Sequence, residues 1–179
     1  MMDRTEIAQR LLTNYDEFAG LLGSLTEAEY RATPEGKWSN GQHLDHLVRS
    51  VGPVNLALGL PSFLLRLLFG TANRPSRSYA GLVEKYQAKL AAGGRASGRF
   101  VPPPAEWMRR ERLLQSLDGQ VKRLAEKTCR LSEAQLDTLL LPHPLLGKLT
   151  LREMLYFTVY HAEHHRMAVE RNLSGETFR

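Results

Sequence analysis

The chain has 179 residues, 42% of them hydrophobic and 24% charged. That length and balance predict one globular domain over residues 1–179 with a sizeable core. A single cysteine, Cys129, excludes an internal disulfide framework and a cysteine-based zinc site. The net charge is +5, but the basic residues are spread along the chain with acids nearby, as in Arg109-Arg110-Glu111-Arg112. That pattern describes solvated helical faces rather than a nucleic-acid footprint.

The first helix is expected from about Asp3 to Leu22. Asp3 can cap it, and Ile7, Leu11, Tyr15, Phe18 and Leu22 recur every three or four residues. A short helical turn follows, opened by Thr26 with Glu29 and closed by Pro34 and Gly36. The second long helix begins at Ser39, with Gln42 as its capping-box partner and Leu44, Leu47, Val48 and Val51 on one face. Gly52-Pro53 is expected to kink or end it. Ser62 to Phe69 is apolar on most sides, which suits a short buried helix or a cover over an open end.

Residues 72–77 read as loop, and a helix is expected from about Tyr79 to Leu90. The Gly-, Ser- and Pro-rich stretch 91–104 reads as a long loop. Pro104 then suits the first turn of a third long helix, with Leu113, Leu117, Val121 and Leu124 as its buried stripe. Cys129, late in that helix with no histidine nearby in sequence, is expected to be a packing residue. A short helix is expected over 132–139, and Pro142 and Pro144 break the chain. Thr150 and Glu153 form a clear capping box for a last long helix to about Asn172. No alternating runs flanked by hairpin dipeptides compete, so no strand is expected. Four long helices with elaborated loops argue for an all-α, four-helix bundle.

The six histidines carry the chemical signal, and three fall in His161-Ala162-Glu163-His164-His165. On a helix at roughly 100° per residue, His161 and His165 join the stripe of Leu151, Met154, Leu155, Thr158 and Ala162, while His164 points aside. Two imidazoles four residues apart can converge on one ion. The alternative is a pair of core histidines, each bonded to a neighbour. The residue after His161 is Ala162, so the HExxH metalloprotease base is absent. A third ligand is open on spacing alone. His46 shares a polar side with Gln42 and Arg49 that either meets water or lines an internal cleft. His43 and His143 are rivals.

Three stretches carry a family resemblance: Lys37-Trp38-Ser39-Asn40-Gly41-Gln42-His43-Leu44-Asp45-His46-Leu47, then Gly94 to Pro102, then His143-Pro144-Leu145-Leu146-Gly147-Lys148-Leu149-Thr150 continuing through Tyr160-His161 to His165-Arg166. With the helix order, these resemble the DinB/YfiT-like superfamily, especially the branch with an extended loop before the third helix. The resemblance implies a four-helix bundle with three histidines around a nickel- or zinc-type divalent ion. Carried over residue by residue, these fall on His46, His161 and His165, which sets His46 ahead of His43. Gln42 takes an acid-or-amide position of the family, as a partner near the ligands or at an open coordination place.

Three histidines without a fourth protein ligand describe an open site, the kind that takes water or substrate. The resemblance implies either transfer of a low-molecular-weight thiol or metal-dependent hydrolysis, and thiol transfer is the leading expectation. Arg49, Tyr160 and Arg166 are candidates for stabilising charge. A non-enzymatic metal-binding or stress-response module is the alternative from another class. The remaining expectations are a small-molecule substrate, no nucleic-acid or membrane partner, a homodimer, with the apolar 56–69 segment either contributing to its interface or buried within its own chain, and a cytoplasmic location, since the N-terminus lacks a signal-peptide pattern.

Overall fold

The computed structural model describes residues 1–175. The elements in chain order are α1 (Arg4–Ser24), α2 (Glu27–Arg31), α3 (Asn40–Ala57), α4 (Ser62–Phe69), α5 (Tyr79–Ala91), α6 (Arg110–Arg130), α7 (Glu133–Thr138), β1 (Leu140–His143), β2 (Gly147–Thr150) and α8 (Leu151–Ser174). Two 3-10 turns, Gly98–Phe100 and Trp107–Arg109, lie in the long loop before α6.

Local chemistry sets most boundaries. Asp3 Oδ1 accepts from Thr5 N at 2.8 Å and Glu6 N at 2.9 Å, and starts α1. Reciprocal capping boxes open α2 (Thr26 with Glu29), α3 (Ser39 with Gln42), α7 (Ser132 with Gln135) and α8 (Thr150 with Glu153). Gly175, in the left-handed region, closes α8.

The long helices α1, α3, α6 and α8 form the four-helix bundle: α1 packs on α6 and α8, and α3 packs on the same two. Ile7, Leu11, Phe18 and Leu22 of α1 meet Leu44, Leu47 and Val51 of α3, Leu117 and Leu124 of α6, and Leu151 and Leu155 of α8 in one buried cluster. Each such side chain contributes about 1.5–3 kcal/mol by leaving water. α8 is the central element, because α5 and the β1–β2 hairpin also pack against it. Residues 151–162 are buried on every side.

Several expectations are corrected. A two-stranded antiparallel hairpin exists, pairing Leu140 with Thr150 and His143 with Gly147. The two prolines hide its alternation, and Pro142 is tolerated because a two-stranded sheet is all edge. Pro53 does not end α3, which runs on to Ala57. α6 starts at Arg110, not near Pro104, because the Trp107–Arg109 turn intervenes. α4 is not a buried helix: Leu65 is buried, but Phe63, Leu67 and Leu68 are exposed. Cys129 is exposed, so it does not pack in the core.

Candidate metal centre

The two helices that carry the ligand candidates face each other across the bundle. α3 presents His43 and His46 one turn apart, and α8 presents His161 and His165. All four are buried, which settles the open question about His46: its polar side lines the interior. The packing of α3 at its start depends on Gly41. A Cβ there would run into the Tyr30 ring and lie 2.6 Å from Ala105 Cβ. The side-chain amide of Asn40 also ties the helix to the Glu29 carbonyl at 3.0 Å.

Three nitrogens converge. His161 Nε2 lies 3.2 Å from His46 Nε2 and 3.0 Å from His165 Nε2. Ligand atoms of His46, His161 and His165 all lie within 4.8 Å of one another. The outer nitrogens are tied back. His46 Nδ1 is 2.7 Å from the Phe100 carbonyl, so it carries the proton and leaves Nε2 with a lone pair facing the cluster. His165 Nδ1 is 2.7 Å from His43 Nδ1. His43 therefore stands behind His165 rather than in the cluster. Trp38 stacks nearly parallel to His165, at 11° and 6.2 Å between ring centres.

The donor set fits a divalent ion. Tetrahedral bonds of about 2.0–2.1 Å place neighbouring nitrogens about 3.3–3.4 Å apart, close to the two short separations here. Without an ion, one Nε2–H of His161 must serve both neighbours as a shared bond, because a ring nitrogen offers a single in-plane proton or lone pair. An ion satisfies all three lone pairs at once. The Phe100 carbonyl and His43 are the kind of outer partners that fix the tautomers of ligating histidines.

Electrostatics favour neutral rings. Burial, then the neighbouring His46, lowers the pKa of His161 well below the ordinary range; burial, then His161, does the same for His165. Burial also lowers His46, against the pull of the Phe100 carbonyl. His43 falls to about 3 through burial, then His46. Neutral imidazole is the form that binds a metal.

The cluster is open on two sides. One cavity of about 420 Å³ touches His46 and His161 and is walled largely by apolar side chains, among them Val54, Met154, Phe157 and Leu145. A second of about 610 Å³ touches His43, His46 and His165, with Lys37, Arg95 and Arg171 around it. Tyr86, Leu90, Arg95 and Ala96 border both.

The other candidates fall elsewhere. Gln42 caps α3, accepting from Ser39 N at 2.9 Å, and donates to the Pro102 carbonyl at 3.4 Å. Arg49 pairs with Asp45, Arg166 with Glu17 and Glu170, and Tyr160 accepts from Gln87. None of these four lines either cavity. His164 borders the second cavity, edge-on to Tyr86 and to His165. Two elements of the site escaped sequence reasoning. The Phe100 carbonyl is one, and no side-chain pattern reports a backbone acceptor. Trp38 is the other; its place just before the α3 cap carries no sign of a ring against three histidines, His43, His46 and His165.

The fold and the site together define a class: a four-helix bundle carrying three inward histidines that could hold a divalent ion, with access from outside. The sequence model of the DinB superfamily matches residues 10–168, and the chain belongs to that superfamily. Among curated proteins, none matches it.

Proposed function

We propose that this protein is a metal-dependent enzyme, with His46, His161 and His165 holding one nickel or zinc ion, and that it transfers a low-molecular-weight thiol to an electrophile. The observation that carries this reading is the convergence of three Nε2 atoms at a point bordered by two cavities of different character. A sealed, four-ligand site would suit a structural role; an accessible three-ligand site suits chemistry. A divalent ion there supplies Lewis acidity and makes a water or thiol in the open place more acidic.

The chain's own residues divide the remaining work. The Phe100 carbonyl holds the proton of His46 on Nδ1. His43 steadies His165 from behind. Lys37 and Arg95 give the larger cavity a cationic border suited to a thiol that carries carboxylates. Apart from Arg95 and Arg99 at its border, the smaller cavity is walled mostly by apolar side chains, which suits the electrophile. The partners are thus small molecules.

The test loads chelator-stripped protein with nickel or zinc and mixes it with cysteine, glutathione or coenzyme A and an aryl chloride. The expected product is the thioether, in which an S–C bond forms, chloride leaves and the thiol proton goes to solvent. Activity that requires the ion and is lost in His161→Ala supports the reading. Ester hydrolysis with no thioether assigns the site to hydrolysis instead. Neither activity, with the ion bound, leaves the metal-binding module as the account.

A further inference from the structure

His143 stands between two prolines in the sequence and does not belong to the three-histidine cluster. Its Nδ1 accepts two backbone N–H groups from its own turn, Leu145 at 3.1 Å and Leu146 at 3.1 Å. A ring nitrogen that accepts carries no proton, so the neutral ring holds its proton on Nε2. Burial, then Lys85, lowers its pKa to about 4, and the ring is neutral near pH 7.

The turn that orients it is fixed. Gly147 closes the hairpin at φ +76°, and Lys85 Nζ donates to the Leu146 carbonyl at 2.9 Å. Nε2 lies on the side of the ring away from these bonds. Among the described residues no hydrogen bond uses it. The ring lines the same cavity as His46 and His161. Phe157 spans the gap, its centre 4.3 Å from His143 and 4.7 Å from His161. No carboxylate lines this cavity, and the charged residues at its border are Arg95 and Arg99.

We propose that the Nε2–H of His143 is the substrate anchor of the smaller cavity, donating to an acceptor oxygen, such as a carbonyl, of a mainly apolar molecule whose other end lies at the open side of the three-histidine cluster. An amine or other cation meets no carboxylate there and is disfavoured. The inference rests on reading that cluster as the reaction centre, although the geometry of the donor is independent of any ion.

The probes are acetophenone and 2-phenylpropene, matched in shape and differing in one acceptor, the ketone oxygen replaced by a methylene. Long-range proton–nitrogen spectra of histidine-labelled protein read the tautomer of His143 directly. The expected result is an Nε2–H ring whose signal moves on adding acetophenone. Wild-type protein prefers acetophenone by about three- to tenfold, the size of one hydrogen bond. His143→Phe and His143→Asn both lose that preference while taking up zinc as the wild type does. The asparagine variant offers Oδ1 to the turn while its amide N–H groups end short of the place of Nε2, so it separates loss of that donor from loss of the hairpin. An Nδ1–H tautomer, no preference in the wild type, or a preference that survives in both variants overturns the proposal. Zinc uptake lost in both His143 variants also overturns it, because the residue is then a ligand. Zinc uptake absent from the wild type, with the ketone preference intact, sinks the metal reading and leaves the anchor standing.

Discussion

At the residue scale, the four buried histidines fall into three whose ring nitrogens converge and one behind them, and under the proposed metal reading substitutions separate ligands from support. His161 Nε2 is the common neighbour of the other two nitrogens, so His161→Ala is expected to abolish metal uptake. His43→Phe is expected to keep uptake but weaken it about 10–100-fold, the usual cost of losing an outer partner of a ligating histidine. Isothermal titration with zinc distinguishes these outcomes; equal loss in both variants would make His43 a ligand. Gly41 tests the packing that sets α3 in place. Its Cβ position is filled by Tyr30 and Ala105, so Gly41→Ala is expected to destabilise the fold by about 1–3 kcal/mol in denaturant unfolding. A stability unchanged by that substitution would show that α3 can shift freely. His161 and His165 were legible in the sequence because their four-residue spacing lies within an apolar stripe. His46 was not legible from its own helix. Its polar side becomes interior only because α8 and the Phe100 loop cover it, which is a property of tertiary packing.

At the element scale, the capping boxes made the helix starts legible, since each is a local, four-residue exchange of hydrogen bonds. The hairpin was not, because Pro142 and Pro144 hide its alternation, and neither was the late start of α6, where the Trp107–Arg109 turn intervenes. Glu153 joins both levels. It completes the α8 capping box, accepting from Thr150 N at 3.1 Å, and it receives Arg74 at 2.6 and 2.7 Å and Arg77 at 2.9 Å. Burial alone would raise its pKa, but the Arg74 fork and the two backbone donors outweigh it and hold the carboxyl down to about 2. Glu153→Gln leaves two arginines that are about one-third exposed without their carboxylate. Solvent screening moderates the loss, and a destabilisation of about 1–3 kcal/mol is expected. Because that pair locks the start of α8, metal affinity is expected to change less than stability. A variant as stable as the parent would show that the ion pairs contribute nothing net.

At the scale of the whole molecule, all six histidines have lowered pKa values, through burial above all. Unfolded histidines titrate near pH 6.5, so unfolding takes up protons at lower pH. Stability is therefore complete above about pH 6.5 and is lost as pH falls toward about 4, the folded value of His143 and His164, by at most about 1.4 kcal/mol per pH unit for each histidine. Denaturant unfolding of ion-free protein between pH 7 and pH 4 reads that slope; a flat profile would contradict the buried, neutral rings. No single helix among the described residues is long and apolar enough to cross a membrane. The exposed Leu56, Phe63, Leu67 and Leu68 keep the expected homodimer a proposal for solution work. Metal stoichiometry tests the central claim most directly: elemental analysis of untagged protein, stripped with chelator, incubated with nickel or zinc and passed through gel filtration. The account predicts about one ion per chain, lost in His46→Ala, His161→Ala and His165→Ala alike. No uptake by the parent, or uptake indifferent to all three substitutions, would contradict it.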